Sequence, residues 1–218
     1  MELGILTEGI NEVIATTAGA CRKDESRGES ESTTTTNTGN DALPLRPNAA
    51  PMGIFCRKGR IRMRVYRGTH TEENMRRNGW VVANVTHDPV VFVETAFGDI
   101  GADRFTEITH EGTTFWRLKD CEAWAAFRCT VLHVSEDLSV FELHPVAEEI
   151  ISCEVHPHNR GFSSVIDATI LGTRYVMFND PAMLEKIRYH RDIALKCGSE
   201  RERIAIKKLD EVIGISVD

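Results

Sequence analysis

Residues 57–67 read RKGRIRMRVYR, a cationic stretch inside a chain whose formal net charge is −7. Arg60, Arg62 and Arg64 alternate with Ile61, Met63 and Val65. A strand here therefore carries guanidinium groups on one face and apolar groups on the other. Gly68, Thr69 and Thr71 follow at the start of a short helix, where free backbone amides attract anions. Arg62 and Arg64 together with that turn are equipment for a phosphate dianion. Upstream, Ala49, Ala50 and Gly53 flank Pro51. Such small side chains let a flat apolar group approach the backbone. One strand and one turn separate the two features, so a ligand with a ring and a phosphate can lie across both. The same residues also fit a plainer role, in which the small groups serve close strand packing and the arginines form a solvated face. Glu72 and Glu73 in the first helical turn compete with a phosphate, and His70 stands where a permanent cation would serve better.

Other candidate chemistry is thinner. Cys153, His156 and His158 form C-x-x-H-x-H, but Pro157 makes the segment extended and no fourth ligand lies nearby, so an interdomain loop is expected and no metal. Ser163 and Ser164 lack a nucleophile context such as G-x-S-x-G. Asp167 and Arg174 lie on one helical face, where a structural ion pair is the default. The six cysteines show no CxxC pairing and are expected to be free thiols without chemistry. Trp80, Trp116 and Trp124 are expected in the core or an interface.

The elements that must position these residues follow from periodicity. Segments 11–17 (NEVIATT) and 49–56 (AAPMGIFC) read as strands from their β-branched and apolar content. Between them, 22–43 is polar, Ser/Thr-rich and nearly devoid of large apolar groups, and reads as a mobile hairpin insertion. After the cationic strand, Thr69 and Glu72 suggest a capping box, and Gly79 suits the C′ position of that helix. WVVANVT (80–86) reads as a buried strand, and Asp88 with Pro89 as N-cap and N1 of another short helix. A loop is expected around 98–112. Segments 123–134 and 140–151 read as long strands joined across 135–139. Several strands with only short helices between them point to an antiparallel barrel. Near His156 the character changes and the spacing turns helical: Phe162, Val165, Ile166 and Ile170; then Asp180 with Pro181; then Ser199 with Glu202. The expected organisation is a barrel domain over 1–152, including the 22–43 insertion, and a helical domain over 153–218.

The order of strand, NAAPMG, cationic strand, G-T-x-T-x-x-N helix and VVANVTHDP resembles the FMN-binding split barrels, the superfamily of flavin reductases and pyridoxamine phosphate oxidases. The matching stretches are 48–53, 69–74 and 79–84. More closely, the chain is similar to a family of archaea and some bacteria that joins such a barrel to a helical C-terminal domain opening with N-R, here Asn159 and Arg160. The resemblance covers almost the whole chain outside 22–43. It implies a split β-barrel, mainly β plus α, with FMN as cofactor at the interface of a homodimer. The residues expected at the flavin are Asn48, Ala49, Ala50, Met52, Gly53, Thr69, Thr71 and Asn84 from the matching stretches, joined by Arg62, Arg64 and Gly68 from the cationic strand and turn read above; Trp124, otherwise a core or interface residue, is the candidate to flank the flavin from the partner subunit. The resemblance also implies an oxidoreductase of flavin reductase type, or alternatively a non-catalytic flavin carrier whose helical domain docks a partner. Catalytic residues are not assigned. Without a G-x-G-x-x-G fingerprint, NADH or NADPH is expected to bind transiently over the flavin.

The acidic balance excludes a broad nucleic-acid surface. No apolar run approaches the roughly 18 residues of a membrane span. The N-terminus (MELGILTEGINEVIATT) does not fit a signal peptide, so a cytoplasmic address is expected.

Overall fold

Strands β1 (Gly9–Ala20), β2 (Leu45–Arg57), β3 (Arg60–Tyr66), β4 (Trp80–Val85), β7 (Ala123–Val134) and β8 (Leu138–Ile150) close into an antiparallel barrel of order β1-β2-β3-β8-β7-β4 in the computed structural model. Residues 4–20 and 45–214 are described. The expected insertion at 22–43 lies outside them.

Side chains alternate between the two faces of each strand, and the barrel uses both. Val13, Ala15, Ile54, Met63, Val65, Val81, Ala83, Ala125, Phe127, Phe141 and Leu143 fill the interior. Full burial of a side chain such as Phe127 stabilises by about 1.5 to 3 kcal/mol. The outward residues Ile14, Ala18, Trp80, Val82, Trp124 and Ala126 form a second apolar layer. It is covered by α2 (Pro89–Phe97), by the hairpin of β5 (Phe105–His110) and β6 (Thr113–Leu118), and by Ile166 of α3 (Arg160–Phe178). This explains why WVVANV and AWAAF read as unbroken apolar runs: both faces of β4 and of the first half of β7 are buried. β3 keeps its alternation because only its inner face is covered. The uncovered side of the barrel is therefore the side that carries the arginines.

The β5–β6 hairpin replaces much of the expected loop at 98–112. Glu111 and Gly112 both take positive φ, 47° and 75°, the geometry of a two-residue hairpin turn. Its Phe115 and Trp116 pack on Trp80, edge-on at 5.4 Å and stacked at 5.8 Å.

The capping box expected at α1 (His70–Asn78) forms only by half. Thr69 Oγ1 accepts from Glu72 N at 3.3 Å, but the Glu72 carboxylate turns inward, accepting from Ser139 Oγ at 2.7 Å. The complete box stands at α5 (Glu200–Ile213), between Ser199 and Glu202. Helices α3, α4 (Pro181–Cys197) and α5 share a third apolar cluster with Val90 and Val93 of α2. Gly161 at the start of α3 lies so close to Gly198, between α4 and α5, that a Cβ would sit 2.5 Å from the Gly198 Cα.

Candidate functional site

The residues expected around one ligand fall into four places. On the open outer face, Arg62 pairs in register with Phe55 of β2, and the Arg64 guanidinium lies 5.2 Å from the centre of the Phe55 ring. Arg62 Nε is buried and has no hydrogen-bond partner. A Cβ at Gly53 would meet Ile10 Cγ2 at 3.2 Å and Glu12 Oε1 at 3.4 Å, so the glycine lets these two side chains pack closely on β2. Gly68 and Thr69 form the entry to α1, with Gly68 at φ 77° and Thr69 Oγ1 donating to Tyr66 O at 2.8 Å. Because Glu72 is turned into the protein, its charge is withdrawn from the surface at that helix start.

The remaining residues do not share this face. Thr71 is buried at the barrel end, where its hydroxyl accepts from Asn48 Nδ2 at 3.4 Å. The register sets Ala50 and Met52 opposite Ala15 and Val13 on the inward side. Ala49 and Trp124 belong to the layer under α2 and β6, and Trp124 Nε1 donates to Glu149 Oε2 at 3.0 Å. Asn84 is fully buried and saturated: Nδ2 donates to Ile14 O at 2.8 Å and Thr16 Oγ1 at 3.1 Å, and Oδ1 accepts from Leu118 N at 2.7 Å. Its amide ties the added hairpin to the barrel. An exposed polar contact to a ring is not available to it in this arrangement.

Other sequence expectations also shift. Asp167 faces His190 Nδ1 of α4 at 3.6 Å rather than Arg174. His156 Nε2 of the C-x-x-H-x-H segment faces Glu122 Oε1 at 3.0 Å, and no group of three metal-ligating side chains converges among the described residues. Burial pushes the Cys129 thiol up to about 12, away from the reactive thiolate, and burial also raises the Cys121 thiol. Sequence reasoning missed Phe55, whose place beside the arginines depends on the β2–β3 register. It also missed His87, whose ring is stacked between His156 and Phe162 at 4.1 Å on each side. Burial lowers the His87 pKa, and neighbouring His156 lowers it further. His87 is therefore neutral at physiological pH.

Beside Gly53, burial raises the Glu12 carboxyl, and the Asp167 charge on α3 adds to the rise. A folded pKa above the unfolded value means that ionised Glu12 opposes folding once the pH passes the usual carboxylate range. Glu12→Gln should therefore stabilise the protein at neutral pH and have no effect near pH 4. Glu12 keeps part of its surface in water, so screening holds the gain to less than about 1 kcal/mol. Thermal melts of both proteins at the two pH values check this, and an equal shift at both would remove the carboxylate as the cause.

Comparison with known proteins adds to this picture. Two family models match, described as the N-terminal domain of a protein of unknown function, DUF447, over residues 34–152, and as protein of unknown function DUF447 over 159–211. Among solved structures, an FMN-bound protein of Methanosarcina mazei from the same family is 32% identical. That match covers 94% of this chain and 96% of the other, with a TM-score of 0.78. A flavin reductase domain protein of Arthrobacter is 11% identical over 69% of this chain and 82% of its own, with a TM-score of 0.45. An FMN-binding protein of Thermus thermophilus is 10% identical over 67% and 72%, also at 0.45.

Proposed function

Since the chain belongs to the DUF447 family, we propose that it binds FMN on the open face of its barrel and works as a flavin-dependent oxidoreductase of flavin reductase type. The observation that carries the flavin is the FMN-bound relative from Methanosarcina mazei, which matches nearly the whole chain at 32% identity.

The residues fit the cofactor. Arg62 has an unpartnered Nε and Arg64 is exposed beside it, so both can turn donors to a phosphate dianion. Phe55 offers an apolar surface next to them. When bound, FMN supplies a hydride-accepting ring. The protein's part is then to hold the phosphate, orient the ring and leave one ring face open to a donor, for which stacking geometry matters more than a protein acid or base. NADH or NADPH is the proposed donor, bound transiently.

A homodimer with two-fold symmetry completes the reading. Val131, Leu132 and Val134 near the end of β7 are exposed apolar residues and supply a surface for the second copy. A cytoplasmic location accords with the absence, among the described residues, of any helix long and apolar enough to cross a membrane.

The purified protein should show the visible absorption of bound flavin and bleach anaerobically with NADH or NADPH. A flavin spectrum that neither nucleotide bleaches would support a carrier instead. A colourless protein that takes up no added FMN would remove the proposal altogether.

A further inference from the structure

The open face of the barrel continues past the arginines on to β1. In the β1–β2 register Ile10 stands opposite Phe55 and Glu12 opposite Gly53, and in the β2–β3 register Phe55 stands opposite Arg62. The alternate positions Val13, Ile54 and Met63 fill the interior, so Glu12 shares the outer face with Phe55, Arg62 and Arg64. Two strand spacings, about 10 Å, separate β1 from β3. Gly53 lets the Glu12 carboxyl lie down on the sheet between them: a Cβ there would sit 3.4 Å from Oε1 and 3.8 Å from Oε2. In the other direction along β1, the next outward residue, Ile14, is already buried in the layer that α3 helps to cover. Glu12 thus stands at the rim where the covered wall ends and the open face begins.

This carboxyl lacks the partners that usually hold one. Neither oxygen has a hydrogen bond or a cation among the described residues. Arg62 and Arg64 lie beyond Gly53 on β3 and form no ion pair with it. From α3 it meets the charge of Asp167, which is itself set against His190 Nδ1 of α4 at 3.6 Å. Burial, with Asp167 adding to it, raises the Glu12 carboxyl above its ordinary range. The side chain is nevertheless exposed enough for a ligand to reach it. An accessible, unpaired carboxyl that tends to keep its proton is suited to giving a hydrogen bond.

We propose that Glu12 is a binding residue for the flavin ring, its carboxyl group meeting the edge on which the ring carries an N–H between two carbonyl groups; the assignment rests on the flavin reading above. In the protonated state the O–H donates to a ring carbonyl while the other carboxyl oxygen accepts from the ring N–H, a matched pair. In the ionised state the group can only accept, and it sets a charge against the ring carbonyls. With the phosphate held from β3 and the ring edge from β1, the flavin lies across β2, over Phe55.

Riboflavin is the probe, because it has the ring without the phosphate and keeps one charge state between about pH 5 and about pH 8. Fluorescence-quenching titrations over that range should show its affinity falling by about tenfold or more as the pH rises, since binding must then return a proton to Glu12. In Glu12→Gln the side-chain amide offers the same donor and acceptor at every pH. Riboflavin should therefore bind this variant about as tightly as it binds the unaltered protein at the acid end of the range, with the fall removed. Glu12→Ala should be weaker at the acid end by roughly severalfold to tenfold, the worth of one or two neutral hydrogen bonds, and equally flat. Should Glu12→Ala fail to fold, the profile of Glu12→Gln decides alone. A fall that persists in Glu12→Gln, or Glu12→Ala binding equal to that of the unaltered protein at the acid end, would overturn the assignment and leave flavin binding intact. A protein that takes up neither riboflavin nor FMN anywhere in the range would remove the flavin reading, and this assignment with it.

Discussion

Asn84→Ala lowers the stability of the flavin-free protein by about 3 kcal/mol, the expected cost of stranding buried polar groups. The substitution leaves Leu118 N without its 2.7 Å acceptor and Ile14 O without its 2.8 Å donor, both away from water. Each such orphan costs roughly 1 to 3 kcal/mol, and Thr16 Oγ1 cannot supply the donor that Ile14 O loses, since its proton already goes to Trp116 O. For a chain of this size the fall in Tm should be about 6 to 12 °C. Calorimetry on flavin-free protein reads it directly. An unchanged Tm with a selective loss of FMN affinity would mean that Asn84 serves the ligand and that the hairpin is held by other contacts.

The double substitution Arg62→Ala with Arg64→Ala should weaken FMN by about a hundredfold or more, at roughly 1.5 to 3 kcal/mol for each charged hydrogen bond removed. Riboflavin, which lacks the phosphate, should lose far less. The residual effect on riboflavin reports the cation above Phe55, about 0.5 to 1 kcal/mol at an exposed site. Both arginines lie on the outer face of β3, away from the interior formed by Met63 and Val65, so folding should be little affected. Fluorescence-quenching titrations of both flavins into both proteins decide the matter. Equal losses for the two flavins would place the phosphate elsewhere.

How far the sequence reaches depends on the distance over which each signal acts. RIRMRVY announced a strand with one wet face because that pattern is local, and Ser199 with Glu202 announced a helix start for the same reason. The β5–β6 hairpin escaped because its turn is Glu-Gly and its strands carry mixed residues whose burial depends on Trp80, which lies more than thirty positions earlier. Among the candidate residues, the outward placement of Arg62 and Arg64 was legible from alternation alone. Thr71 and Asn84 were assigned outward roles by motif, yet each is turned inward by a partner remote in the chain, Asn48 and Leu118 respectively. A side chain that both donates and accepts looks the same in sequence whether it greets a ligand or a buried amide.

The α2 helix has a consequence for how the molecule comes apart. Val91 and Phe92 pack into the layer on the barrel, while Val90 and Val93, their immediate neighbours, pack among Val165, Ala168, Ile206 and Leu209. Nine residues thus present one side to each half, and neither half can lose the other without baring part of α2 to water. Heating should accordingly melt barrel and helices in a single cooperative transition, with matching calorimetric and van't Hoff enthalpies. A chain ending at residue 152 would behave as a sticky fragment rather than as a free-standing barrel.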